Sequence, residues 1–287
     1  MQNQLARDQI VDRLLEAADL LEAQAADRFR VRAYRMGAET VRNLTEDPAG
    51  ILEREGLEGL IRLPHIGTRL ARAIDEMVAT GRWIQLERMR GEAEPEAVFQ
   101  TIPGIGPSTA RAIHDELHID TLEALEIAAH DGRLEKVPGI GARRAASIRA
   151  MLGSMLARRR RRSPEDHEEP TVASLLEVDA LYRDRAAAGD LRQIAPRRFN
   201  PTGEAWLPIL HADRDEWSFT ALYSNSALAH DLGRTHDWVV IYFSRSDGPE
   251  HQRTVVTETR GPLEGRRVVR GREAECRQHY FDGADPG

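Results

Sequence analysis

The chain has 287 residues, 41% hydrophobic and 30% charged, enough for two or three domains with cores of their own. No apolar run approaches the ~20 residues of a membrane span. The charged, amphipathic start MQNQLARDQIVDRLLEAADLLEAQ does not read as a signal peptide. The single cysteine, Cys276, excludes an internal disulfide and a multi-cysteine zinc site, so a reducing cytoplasm is the expected compartment. A net charge of −7 argues weakly against a nucleic-acid partner. Residues 1–90, however, hold 14 Arg against 15 acids, and residues 91–163 hold 11 basic against 10 acidic residues, so the placement of individual cations decides. There are 39 Arg and one Lys, Lys136, a bias that fits a GC-rich genome and leaves a single side-chain amine for nucleophilic chemistry.

In chain order, Ile10, Leu14, Leu15, Ala18 and Leu21 form one apolar helical stripe, and a second helix is expected from about Phe29 to Leu44. Short helices then alternate with Pro-Gly turns up to the run Arg158–Glu169 (RRRRRSPEDHEE), which reads as a charged linker or, alternatively, as a nonspecific phosphate-binding arm. Thr171 is placed to cap a helix over Val172–Ala188. Beyond it Trp217–Ser224, Trp238–Phe243, Thr254–Thr257 and Arg266–Val269 read as strands, with a turn at Asp247-Gly248 and a short helix over Asn225–Leu232 stopped by Gly233. The fold class expected is multi-domain: an all-α N-terminal half followed by a smaller α+β C-terminal domain. The divisions expected are 1–90, 91–157, a linker at 158–169, and 170–287.

The N-terminal half carries an internal repeat: Leu63-Pro64-His65-Ile66-Gly67, Ile102-Pro103-Gly104-Ile105-Gly106 and Val137-Pro138-Gly139-Ile140-Gly141, their last glycines 39 and 35 residues apart. Proline ends one helix, and the glycines admit left-handed backbone and remove side chains from the approach of a ligand. The next helix then starts with free N–H groups at the positive end of its dipole, an anion site. Cations follow at Arg69, Arg72, Arg111, Arg143 and Arg144. A nucleic-acid backbone supplies regularly spaced anions, and such contacts position a protein without reading bases. The candidate contacts are Gly67, Gly104, Gly106, Gly139 and Gly141, Ser108 at the start of the second helix, and those five arginines. In the first copy His65 replaces a glycine, which leaves two readings: a phosphate donor or a purely structural turn.

The three copies are helix-hairpin-helix motifs. With Phe29-Arg30-Val31-Arg32-Ala33-Tyr34-Arg35, Leu63–Ala71, Ala79-Thr80-Gly81-Arg82 and Gly132–Gly139, they make residues 1–155 resemble the N-terminal region of family X (DNA polymerase beta-like) DNA polymerases, the bacterial members in particular. The resemblance implies DNA repair, a grip on gapped or nicked DNA or its 5′-phosphorylated ends by Arg30, Tyr34 and Arg69, and no required cofactor. It also implies a potassium or sodium ion held by the backbone carbonyls of Ile61, Leu63 and Ile66 and of Gln100, Ile102 and Ile105. The family's abasic-site lyase lysine falls on Ala73, and arginine cannot replace it as an amine nucleophile. The polymerase palm also finds no counterpart, since Asp213-Arg214-Asp215 lacks a preceding Gly-Ser and falls in an expected turn.

Residues 170–287 carry no diagnostic motif, although Arg197–Pro208 (RRFNPTGEAWLP) is unusual. His211, His230, His236, Asp237, Glu258 and Glu273 are candidates for a metal or acid–base site, without a metal-ligand spacing such as His-Glu-x-x-His. Arg260, Arg266, Arg267, Arg270 and Arg272 could line a DNA groove with Trp217, Trp238 and Tyr242 stacking on bases, or form the solvated face of a strand pair with aromatics in its core. Cys276 reads as packed rather than reactive. The expectation is a noncatalytic, non-sequence-specific DNA-binding protein whose C-terminal domain binds a protein partner or extends the DNA footprint. The alternative is a nuclease or nucleotide-processing enzyme with its site in the C-terminal domain.

Overall fold

The computed structural model describes residues 7–117, 119–157, 169–245, 248 and 250–281. Arg158–Glu168 of the expected linker and Asp247 of the expected turn lie outside the described residues. By contact density the chain forms two units: Met1–Ala93 with Leu191–Ser218 and Ser244–Pro249, and Glu94–Asp190 with Phe219–Phe243 and Glu250–Gly287.

The first unit is built on helices α1 (Arg7–Ala23), α2 (Arg28–Arg42), α3 (Pro48–Glu55), α4 (Leu57–Ile61), α5 (Thr68–Thr80) and α6 (Ile84–Arg90). The apolar stripe of α1 is buried as its spacing requires, with Ile10, Leu14 and Leu21 fully enclosed. Asp27 caps α2 by accepting from the Phe29 amide at 2.8 Å, and Asp47 does the same for α3, which opens with Pro48. Leu60, Ile66, Leu70, Ile74 and Met77 close the core from the hairpin side.

The second unit begins with α7 (Pro95–Phe99), α8 (Pro107–Leu117), α9 (Leu122–His130), a single 3₁₀ turn at Leu134–Lys136 and α10 (Ala142–Ala157). Their core, including Phe99, Ile113, Leu125 and Leu134, is drawn from one contiguous stretch. Helix α11 (Val172–Ala188) has the expected bounds: Thr171 accepts from the Ser174 amide at 3.1 Å, and Gly189 ends it at φ 74°.

The strands are β1 (Arg192–Ile194), β2 (Leu207–Arg214), β3 (Trp217–Tyr223), β4 (Val239–Arg245), β5 (His251–Thr257) and β6 (Arg267–Val269). The short helix α12 (Ala227–Asp231) precedes β4 and α13 (Glu273–Phe281) follows β6. Strand order in the sheet follows chain order, with antiparallel pairs at β1/β2, β4/β5 and β5/β6. β4 is buried at six successive positions, so it reads as a continuous apolar run rather than an alternation. The all-α region followed by an α+β region stands as expected.

The division into units differs from the expected boundaries, and particular contacts give the reason. Gly91 adopts φ 80° and lies so close to the Ala195 backbone that a Cβ there would stand 2.5 Å from its carbonyl oxygen. The Arg197 amide donates to the Gly91 carbonyl at 2.8 Å. His211 on β2 hydrogen-bonds Gln24 at 2.8 Å, and Gln24 in turn donates to the Met89 carbonyl at 2.9 Å. Residues 191–218 thus fold onto α1 and α6 rather than separating from them.

Candidate nucleic-acid interface

The three hairpins share two backbone bonds. The amides of Ile66, Ile105 and Ile140 donate to the carbonyls of Leu63, Ile102 and Val137 at 3.3, 3.1 and 3.0 Å. The amides of Ala71, Ala110 and Ala145 then bond back to Gly67, Gly106 and Gly141 at 3.0, 2.9 and 3.0 Å, starting α5, α8 and α10. The isoleucines and alanines are buried and anchor the turn. Pro64, His65 and Gly67, Pro103 and Gly104, and Pro138, Gly139 and Gly141 face solvent.

The position after each proline is left-handed: His65 at φ 62°, Gly104 at φ 88° and Gly139 at φ 82°. Glycine suits that geometry, whereas histidine adopts it at a conformational cost. The last glycines differ in kind. Gly67, Gly106 and Gly141 do not have a left-handed φ, and a Cβ on any of them would meet nothing within 4 Å. Neither this chain's backbone nor its packing requires glycine there, and the space left open lies beside the first N–H groups of α5, α8 and α10, which have no intrahelical acceptor.

The expected cations divide. Ser108, Arg111 and Arg143 are exposed beside the second and third hairpins. Arg144 does something its position in the sequence did not announce. Its guanidinium donates to the Gly139 carbonyl at 3.0 Å, to the Gly104 carbonyl at 2.9 Å and to Thr109 Oγ1 at 3.1 Å, which ties the second hairpin to the third. Arg69 turns inward, with Nη2 3.4 Å from the carbonyls of both Ser244 and Arg245. Arg72 and Arg30 are partly buried, and Arg30 Nε and Nη1 are enclosed without a hydrogen-bond acceptor. Tyr34 corrects the expectation for a phosphate contact: it is 2% exposed, its ring lies 5.8 Å from Trp83, and its hydroxyl donates to Gln85 at 3.3 Å. Ala73 is packed in the same core.

The candidates in the second half do not converge on one centre, although Glu258 and Glu273 both lie beside Arg270 Nη1, at 2.6 and 3.9 Å. His211 is buried and paired with Gln24; burial first, then the charges of Arg30 and Arg88, push its pKa well below the ordinary value and keep it neutral. His230 bonds Asn225 at 2.6 Å, and the His236 ring lies 5.3 Å from that of Tyr223, tilted by 53°. Asp237 accepts from Arg267 at 2.6 Å and from Thr257 at 2.5 Å. Burial would raise the Glu258 carboxyl, but Arg270 at 2.6 Å and the neighbouring amides outweigh it and hold it low. Glu273 accepts from the Gly271 amide at 3.0 Å. Among the described residues no three His, Cys, Asp or Glu side chains converge as a metal site.

The basic groove also fails to form as drawn. Arg267 is committed to Asp179 and Asp237, Arg270 to Glu258 and Arg272 to Glu275, while Arg266 lies 5.3 Å over the Tyr280 ring. Arg260 is exposed. Tyr242 is a core residue whose hydroxyl donates to Asp120. Trp217 lies under Arg245, and Trp238 is partly buried. Cys276 is fully buried and accepts from the Val269 amide at 3.3 Å, and burial pushes its thiol pKa up. The expected turn holds at Asp215, at φ 52°, while Asp213 lies in β2.

Against known families, residues 5–83 match the model of a helix-hairpin-helix domain and residues 97–153 that of a SAM-like helix-hairpin-helix tandem. The first match takes in α1–α5 with the first hairpin, and the second takes in both remaining hairpins. Such domains indicate DNA binding without sequence specificity. Among the described residues no helix is long and apolar enough to cross a membrane.

Proposed function

We propose that the chain binds DNA through the phosphate backbone, with the second and third hairpins as the principal grip. The observation that carries this reading is that Gly106 and Gly141, like Gly67, are glycines that nothing in the chain itself demands, each directly before a helix N-terminus. Arg111 and Arg143 add exposed charge beside the amides, and Arg144 fixes the spacing of the two turns. The resemblance to family X polymerases supports a preference for gaps, nicks or 5′-phosphorylated ends and a place in DNA repair. Dispersal of the polar candidates among local ion pairs favours a noncatalytic role, with the C-terminal region as the surface for a protein partner. A potassium or sodium ion would use the carbonyls of Ile61, Leu63, Ile66, Gln100, Ile102 and Ile105. Leu63 and Ile102 already accept one turn amide each and keep a second lone pair.

The test is a titration of fluorescent nicked, gapped and intact duplexes at several salt concentrations. Affinity falls steeply with salt, as it does when Arg and amide contacts displace counterions. Gly106→Val weakens binding about tenfold or more, the loss of one charge-assisted contact, with the fold checked by its melting temperature. A protein with no affinity for any of these duplexes at low salt, or a folded Gly106→Val variant that binds normally, overturns the reading.

A further inference from the structure

The loop between β1 and β2 runs from residue 195 to 206, twelve residues where paired strands are usually joined by about two to five. Its sequence, APRRFNPTGEAW, is pinned at several points. Arg197 is tied to Gly91, the Asn200 side chain donates to the Glu204 carbonyl at 2.8 Å, the Gly203 amide bonds the Asn200 carbonyl at 3.2 Å, and the Trp206 amide bonds the Ile194 carbonyl at 3.2 Å. At its tip Phe199 holds φ 53°, a left-handed conformation that glycine or asparagine adopts readily and an aromatic residue rarely does. Burial does not account for the choice, because Phe199 is 46% exposed. The Arg198 guanidinium lies 5.1 Å from its ring centroid. An aromatic ring is thus presented to solvent, against its backbone preference, by a fixed loop with two arginines.

We propose that Phe199 is a stacking platform for an unpaired nucleobase, with Arg197 and Arg198 meeting the adjoining phosphates. This rests on the DNA-binding reading above and adds single-stranded DNA to its ligands. Aromatic rings accept any base, because every base has a π-face, and arginine beside the ring adds both charge and a second planar surface. A protein that grips backbone elsewhere gains from such a platform a means of holding DNA whose bases are unstacked, as in a gap.

The experiment uses the full chain, an intact duplex, and the same duplex with a short single-stranded gap carrying 2-aminopurine, whose fluorescence reports stacking. Wild type changes the 2-aminopurine signal on binding. Phe199→Gly loses that change and about tenfold of its affinity for the gapped probe, binds the intact duplex as before, and melts no lower than wild type because the backbone conflict is relieved. Phe199→Trp keeps both the signal and the affinity. If wild type binds both probes and Phe199→Gly binds the gapped one equally well, the platform is refuted while DNA binding stands. If Phe199→Gly melts lower and loses both probes equally, the ring serves the fold and the proposal falls. If wild type binds neither probe, the DNA-binding reading fails and takes this one with it.

Discussion

The first hairpin and the pair formed by the second and third share the isoleucine and alanine amide bonds of the turn, yet they face different surroundings. In the pair, the left-handed positions are glycines, the following arginines reach solvent, and Arg144 links one turn to the other. In the first hairpin, His65 fills the left-handed position, and Arg69 points to the carbonyls of Ser244 and Arg245. Tyr34, assigned by resemblance to a phosphate, lies in the core. The turn is therefore a folding device first. Whether it grips DNA is decided by what the surrounding chain leaves open around it.

The sharpest way to break this comparison is to add a β-branched side chain to each turn. Gly106→Val and Gly141→Val together lower duplex affinity about a hundredfold, two charge-assisted contacts' worth, while Gly67→Val changes it less than about threefold. Equal losses from all three sites, read by fluorescence anisotropy, would erase the distinction. Next in size are the cations. Arg111→Ala and Arg143→Ala each reduce the slope of log affinity against log salt by about one, as expected for a lost phosphate contact. Arg69→Ala leaves the slope alone and lowers the melting temperature.

Two buried histidines separate the units by pH. His211 in the first is held neutral, its pKa lowered chiefly by burial. Its unfolded form takes a proton that the folded form refuses, so stability is lost as pH falls below the unfolded value of about 6.5. His114 in the second unit is raised: burial opposes its charge, but Asp120 at 3.0 Å, Glu96 and the Ile119 carbonyl outweigh it. Its contribution is complete below about 6.5 and disappears as pH rises through the folded value. Denaturation at a series of pH values, with His211→Gln flattening the acid side and His114→Gln the alkaline side, checks both signs. The smallest effect is at the first turn, where His65→Gly stabilises by about 0.5–1 kcal/mol, since relief of left-handed strain exceeds glycine's entropic cost. Urea unfolding measures it, and DNA affinity stays unchanged.

What could be read from the sequence follows how far each determinant reaches along the chain. The hairpins were legible because Pro, Gly and Ile act within five residues. Helix α11 was legible because Thr171 and Gly189 punctuate it, and β4 because six consecutive buried residues leave little choice. β1 and β2 were not: β1 is three residues long and begins Arg-Gln, and β2 carries Pro208 at its second position. The fate of arginines was least legible. Nothing local tells Arg143, exposed, from Arg144, which reaches back 40 residues to Gly104. Nor does it show that Arg69 ends 175 residues away on Ser244. The fold of residues 191–218 onto α1 and α6 depends on the Gln24–His211 pair, 187 residues apart in sequence.

That last pairing sets a timetable for the growing chain on the ribosome. The helical core of the second unit comes from Phe99 to Leu152, one uninterrupted stretch, and its contacts close soon after they are made. The first unit is interrupted between Ala93 and Leu191 and again between Ser218 and Ser244. At about 5–20 residues per second, Gln24 waits tens of seconds at the slower end of that range for His211 to arrive. During that interval the α1–α6 bundle stands without the strand that completes it. The region first in sequence thus closes only long after its own helices are made, and truncations or stalls before residue 218 leave it open while the paired hairpins are already formed.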